Sequence, residues 1–450
     1  MLTPTPTGAN DVANSWATSV SSRSVGYIQA MCLASVLEFT GAIGVGARVA
    51  DTIRTKIVDI SLFEDDPALL MLGMLCAVVA SSVYLTICTR MGLPVSTTHS
   101  IMGGVIGMGV ALVGAENIMW VDPEGGINSG VIQVFLAWII APGLSGAFAA
   151  IIFMITKYAV MVRSNPVVRG LITVPIYFGF TASLLTMLLV WKGGSIEVNL
   201  NSAGIAGVIV GVGCAFAVVI GIFLVPWLYR IVVKDDWQLR WWQIPMGPLL
   251  LRRPEPPVQP AGASGGITDF YAGHLTKEEL DSLRNRNSRT SDTEATRVVT
   301  PKVNNAETEA KPVAKDSEDG SEEHEPERTV HVHKSIVGPR PEGPWHSGAM
   351  LFWRFKWVFL RGVDQDVIAS QNKESKLTGD LDEMHAHAKH YDNRAEYLYS
   401  FLQVLTASTA SFAHGANDVA NAIGPYATIF QIWNTGNMGG KKSEVPVWIL

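Results

Sequence analysis

Seven residues, Gly8-Ala9-Asn10-Asp11-Val12-Ala13-Asn14, recur unchanged as Gly415-Ala416-Asn417-Asp418-Val419-Ala420-Asn421. Residues three and four apart share one face of a helix, so Asn10, Asp11 and Asn14 form a polar stripe, and Asn417, Asp418 and Asn421 form a second. A carboxylate flanked by amide carbonyls is a set of hard oxygen ligands, suited to a small cation such as sodium. The plainer alternative is that these side chains only glue helices together or end a helix among headgroups. A duplicated Asp is a poor glue where small hydroxyls would serve. A third intramembrane acid, Glu38, lies in the apolar run 33–45. It is a functional candidate because a charge at membrane depth is costly, with snorkelling or helix pairing as its alternative role.

A second chemical motif is Gly92-Leu93-Pro94-Val95-Ser96-Thr97-Thr98-His99, followed by the Gly-rich apolar run 101–113. Proline followed by clustered hydroxyls reads as the start of a helix, whose free N–H groups and positive dipole end can receive an anion. Inside the membrane, as a half-helix or re-entrant hairpin, this start would hold phosphate or another oxyanion without an arginine. An ordinary capped transmembrane helix starting at the cytoplasmic surface fits the spacing equally well. His99 and His414 adjoin the two motifs. They read as hydrogen-bonded packing residues, with proton relay as the less favoured role.

The elements that must position these groups are membrane spans. The 450 residues are 48% hydrophobic and 16% charged, with a mean hydropathy of +0.24. Crossing a bilayer takes roughly 20 apolar residues, and candidates fall near 25–48, 69–89, 94–113, 131–156, 171–191, 203–229 and 398–430, with another starting at Val445. So many runs argue against a soluble protein with buried core helices. Lys157, Arg163 and Arg169 in one loop, and Arg230, Lys234, Arg252 and Arg253 at the start of the long polar segment, place both on the cytoplasmic side. Glu116, Asp122 and Glu124 leave the 114–130 connection without a base and outside. Loop 192–202, with Lys192 and Glu197, is also external by alternation. The two heptad copies then cross in opposite directions, the signature of an inverted repeat with a site near the midplane.

Residues 1–229 thus read as a first membrane repeat, 230–397 as a central cytoplasmic loop and 398–450 as the start of a second repeat. Stretches such as 253–266 and 300–328 have a disordered composition. Within the loop, residues 350–363 alternate aromatics with Arg354, Lys356 and Arg361, as in a helix lying in the membrane interface; packing on the membrane domain is the equal alternative. Ser288, Thr290 and Ser291 stand beside basic residues as phosphorylation candidates.

The duplicated heptad, the Pro-Val-Ser-Thr-Thr-His segment and the long loop together resemble the inorganic phosphate transporter family. Within it they resemble the eukaryotic sodium-coupled phosphate symporters with a fungal-type loop. The resemblance implies an all-α polytopic inverted-repeat transporter that moves phosphate with sodium by alternating access at the plasma membrane, without a cofactor or transition metal. It implies cation coordination by Asn10, Asp11, Asn14, Asn417, Asp418 and Asn421, phosphate contact at Ser96, Thr97 and Thr98, and a transport requirement for Glu38. It leaves a homodimer open. Alternatives are proton coupling, another oxyanion, or a non-transporting fragment or sensor. Only seven residues precede Gly8, whereas an apolar approach precedes Gly415, and a counterpart of the 94–99 motif would fall beyond Leu450. The expectation is therefore a chain truncated at both ends.

Other classes fit poorly. A net charge of −6 with no basic aromatic surface does not suit nucleic acid. Cys32, Cys76, Cys88 and Cys214 lack CxxC spacing and read as small packing residues rather than disulfides or zinc ligands. The Thr- and Pro-rich start, 1–7, lacks a basic n-region and an apolar h-region, so no cleavable signal peptide is expected there. A membrane enzyme built on Asp11, Asp418 and His99 around a metal would be expected to carry a HExxH or paired HxxxH pattern, and neither occurs.

Overall fold

A computed structural model describes residues 4–55, 60–121, 130–192, 200–258, 267–271, 274–282, 284–285, 336–360 and 381–437. These form helices α1 (Pro4–Ser21), α2 (Tyr27–Thr55), α3 (Pro67–Arg90), α4 (Thr97–Val113), α5 (Gly130–Thr156), α6 (Pro166–Lys192), α7 (Ser202–Val232), α8 (Gly348–Phe359), α9 (Leu381–His387) and α10 (Asn393–Thr435). There is no strand among the described residues. Two compact units result, one of Met1–Phe270 with Tyr391–Leu450 and the other of Tyr271–His390.

In the first unit five segments are long and apolar enough to cross a bilayer: Tyr27–Val45, Pro67–Arg90, Gly130–Met161, Pro166–Val190 and Ser202–Val232. The seven expected spans are thus reduced by two on length and composition. The 94–113 candidate becomes the 17-residue α4, because Pro94 and Val95 stay outside the helix and Ser96 caps it. The 398–430 candidate lies inside the 43-residue α10, whose Ser, Thr, Asn and Asp residues dilute its apolar character. Helix α10 tolerates them because other helices surround it: α2, α3, α6 and α1 all pack along its length. By contrast Val36, Phe39 and Ile43 of α2, and almost all of α5, present large apolar side chains outward, as a lipid-facing surface does. The Val445 span, the phosphorylation candidates Ser288, Thr290 and Ser291, and stretch 300–328 lie outside the described residues.

Three buried clusters join α10 to its neighbours. Leu70, Met74 and Ala77 of α3 and Ile101 and Val105 of α4 meet Ala420, Ile423 and Ala427. Val174 and Phe178 of α6 and Leu224 and Leu228 of α7 meet Leu398. Trp16 of α1 and Ala30 and Ala34 of α2 meet Ala407.

Part of the segment that composition assigns to the loop is packed. Buried Arg230 at the end of α7 donates to the Asp236 carboxylate at 2.9 Å and to the carbonyls of Arg253 and Pro254, and Arg253 lies 3.4 Å from the same carboxylate. Trp237 donates to the Pro257 carbonyl. A 3-10 segment, Trp241–Arg252, closes this knot, so 253–258, expected to be disordered, are held by their carbonyls; 259–266 lie outside the described residues. Of the cysteines, all free, only Cys88 is a buried packing residue; Cys32, Cys76 and Cys214 are exposed on the helix surfaces.

Candidate functional site

The site assembles where α1 and α10 cross. Ser15 bonds His414 Nδ1 at 2.9 Å, Trp16 Nε1 donates to Ser411 Oγ at 2.7 Å, and Gln403 donates to Thr18 and Ser19. Partner numbers fall along α10 as they rise along α1, so the two heptads run antiparallel, as the topology predicts. Asp11 and Asp418 face each other across the crossing, with Glu38 near enough for its charge to act on both.

Helix α2 joins this pair through missing side chains. A Cβ on Gly415 would collide with the backbone carbonyl of Glu38, and one on Gly41 with the carbonyl of Phe412. Helices α2 and α10 therefore touch backbone to backbone, which fixes Glu38 beside the second heptad. That close approach was not read from the sequence, although Gly415 and Gly41 were its available signals.

The fourth element is the hairpin of α3 and α4, held by Ser81 and Ser100, whose hydroxyls are 2.8 Å apart. Its tip, 91–96, is gripped by Asn10, which donates to the Leu93 carbonyl at 3.0 Å and accepts from the Val95 N–H at 3.1 Å. Ser96 caps α4, its hydroxyl accepting from the His99 N–H. Thr97 then donates to Asp418 Oδ1 at 2.9 Å, and Asn421 Nδ2 donates to Asp418 Oδ1, Thr97 Oγ1 and Thr98 Oγ1 at 2.9–3.1 Å.

Asn10 and Glu38 each lie eleven residues from the α1–α2 turn, counted from Ser21 and Tyr27. At 1.5 Å per residue this is about 16 Å, inside a hydrocarbon core roughly 30 Å thick. The beginning of α4, gripped by Asn10, therefore lies as far from that turn as the middle of a span lies from its end. Of the two readings left open by its spacing, the geometry favours the re-entrant hairpin over the surface cap.

Three buried oxygens at this crossing have no hydrogen-bond donor: Asp11 Oδ2, Glu38 Oε1 and Asn421 Oδ1. Leaving buried oxygens unpaired costs free energy, and two facing carboxylates repel. A cation or a shared proton would relieve both penalties. No group of three or more His, Cys, Asp or Glu residues arranged to hold a metal occurs among the described residues.

The expected ligand sets come together only in part. Asn10, Asp11, Asp418, Asn421, Thr97, Thr98 and Glu38 converge. Asn14 is exposed and reaches only Asn10 Oδ1, at 3.3 Å, while Asn417 is half-buried and outside the network. The Thr97 hydroxyl proton is committed to Asp418, so what α4 offers an anion is chiefly its backbone N–H groups. His414 is hydrogen-bonded to Ser15, and His99 lies against Trp138 with ring centroids 4.3 Å apart and planes tilted by 38°. Sequence reasoning missed Ser15, Trp16 and Ser411, which flank the heptads and lock the crossing; their place beside the repeats was the only signal for them.

Known proteins resemble the chain over most of its length. The phosphate transporter family (PHO4) matches residues 7–450. A Neurospora crassa protein named phosphate-repressible phosphate permease pho-4 is 62% identical, the alignment covering 98% of this chain and 76% of that protein. The human sodium-dependent phosphate transporter 1 is 25% identical over 97% of this chain and 76% of its own length. A solved structure titled the sodium-dependent phosphate transporter shares the fold, with a TM-score of 0.52 and 22% identity, covering 100% of this chain and 69% of that one. The chain belongs to the phosphate transporter family.

Proposed function

We propose that this protein carries inorganic phosphate across a membrane in symport with sodium, by alternating access around the α1–α10 crossing. The supporting observation is Thr97, which opens the anion-attracting end of α4 while bonding the Asp418 carboxylate. An anion brought to that helix end would meet the negative charge of Asp418 and Asp11. A sodium ion taken by Asp11, Asp418 and the neighbouring amide oxygens would neutralise that charge and let phosphate dock on the α4 N–H groups. Cation and anion sites are thus coupled by one shared side chain. The names of the 62% and 25% identical relatives support phosphate and sodium respectively.

The predominance of basic residues at 157–170 and 230–253 supports a cytoplasmic placement of the central segment, and a nutrient carrier of this kind belongs at the plasma membrane. A second reading, proton coupling, is favoured by the facing carboxyls of Asp11 and Asp418, which could share a proton. Uptake of radiolabelled phosphate with sodium replaced by choline at fixed pH separates the two. Symport with sodium predicts loss of uptake in choline. Undiminished uptake in choline that follows an imposed pH gradient overturns the sodium assignment.

A further inference from the structure

Helix α8, in the second unit, divides its residues between two apolar faces. One is covered within the unit: Met350 is only 2% exposed, Trp353 Nε1 donates to the Gly338 carbonyl, and Lys356 Nζ donates to the carbonyls of Ile336 and Val337. The other face carries Leu351, Phe352 and Val358, which are 51%, 64% and 65% exposed. At about 100° per residue these three span an arc of roughly 120°, with Arg354 and Lys356 about 40° beyond its two edges. An apolar arc between two bases is the pattern of a helix lying in a lipid interface. No acid occurs along the chain from Gly343 to Val363.

Such a helix binds a bilayer weakly when it is free. Here the unit is spliced between α7 and α10 of a membrane-embedded chain, and a tethered site sees its surface at high effective concentration. We propose that the outer face of α8 docks on the anionic surface of the bilayer, with Leu351, Phe352 and Val358 in the acyl boundary and Arg354 at the headgroups. The inference rests on the chain being membrane-bound and is independent of which ions it carries.

The test uses the full chain reconstituted in vesicles, with Cys32, Cys76, Cys88 and Cys214 replaced by Ala and one nitroxide attached through Phe352→Cys or, separately, Val358→Cys. Accessibility to oxygen, which concentrates in lipid, is compared with accessibility to a water-soluble nickel chelate. Monodisperse elution checks the fold of each variant, and the two label sites guard against failure of either. In phosphatidylcholine vesicles containing phosphatidylglycerol, both labels should favour oxygen. Arg354→Glu should shift them toward the chelate, by about fivefold in docked population for the lost base. Three results overturn the proposal: labels that favour the chelate in anionic vesicles, labels shielded from both reagents as by a protein partner, or oxygen preference that ignores anionic lipid and base reversal.

Discussion

The two copies of the heptad are identical in sequence and unequal in use. In the first, Asn10 is buried and grips the hairpin tip while Asn14 is exposed; in the second, the equivalent of Asn10, Asn417, stands aside, and the equivalent of Asn14, Asn421, holds Thr97 and Thr98. Antiparallel packing explains the exchange. Asn10 precedes its Asp by one residue and Asn421 follows its Asp by three, so with the helices reversed both amides fall on the same side of the carboxylate pair. The α4 start approaches from that side alone. An Asn before and an Asn after each Asp lets one motif serve either direction of travel, and each copy uses one of the two here.

The largest expected effect tests what the copies share. Asp11→Asn and Asp418→Asn should each lower sodium affinity by about a hundredfold or more, since a dry site that loses a carboxylate keeps only dipoles. The pair should then separate. Asp418 also accepts from Thr97 and Asn421, so Asp418→Asn should weaken phosphate binding and protein stability as well, whereas Asp11→Asn should leave phosphate binding at saturating sodium nearly intact. Normal sodium dependence in both mutants, read from uptake at graded sodium, would remove the cation site from this crossing.

The tie between the second copy and α2 comes next. In Gly415→Ala the added methyl has only backbone to push against, so the helices must part, at a cost of about 3 kcal/mol, the upper end of the usual overpacking range. Gly207→Ala in α7 serves as the control, because a Cβ there meets nothing within 4 Å. Thermal unfolding of the detergent-purified variants should show a clear loss for Gly415→Ala and none for Gly207→Ala. Equal stability would mean that α2 and α10 do not touch at this point.

The unequal asparagines give a third, graded test. Asn421→Ala removes donors to a carboxylate and two hydroxyls, and a hydrogen bond to a charged group is worth about 1.5–3 kcal/mol. Apparent phosphate affinity should therefore fall about tenfold or more. Asn10→Ala should rank next through its hold on Leu93 and Val95, while Asn14→Ala and Asn417→Ala should change little. The reverse ranking, from titrations of phosphate uptake, would show that the exchange between copies is not the working arrangement.

Much of this was legible in the sequence because membrane helices leave few options. The repeat, its polar stripe and its opposed directions follow from period and loop charge. Which asparagine each copy would use was not legible, since it depends on the side from which α4 arrives. Nor was the packing of 230–258, where a buried Arg230–Asp236 pair, carbonyl acceptors and the buried Leu239 and Leu250 hold a segment whose charged and proline residues read as loop. Helix α8 was visible as an aromatic and basic mixture, but its two faces follow only from the cover over Met350 and Trp353.

The smallest expected effect separates Ser96 from the threonines with which it was grouped. Its hydroxyl accepts from the His99 N–H within its own helix, the work of an N-cap, whereas Thr97 and Thr98 reach across to the second copy. Ser96→Ala should therefore cost about 1 kcal/mol of helix stability and leave phosphate affinity unchanged in the protein that remains folded. Thr97→Val keeps the shape, removes the donor to Asp418 and should act on both sodium and phosphate dependence. Ser96→Gly provides the internal check, because glycine at an N-cap costs only a few tenths of a kcal/mol and so should recover the lost stability without restoring a hydroxyl. If phosphate affinity falls equally in Ser96→Ala and Ser96→Gly while stability recovers in the second, the hydroxyl itself meets the substrate and the division between Ser96 and the threonines fails.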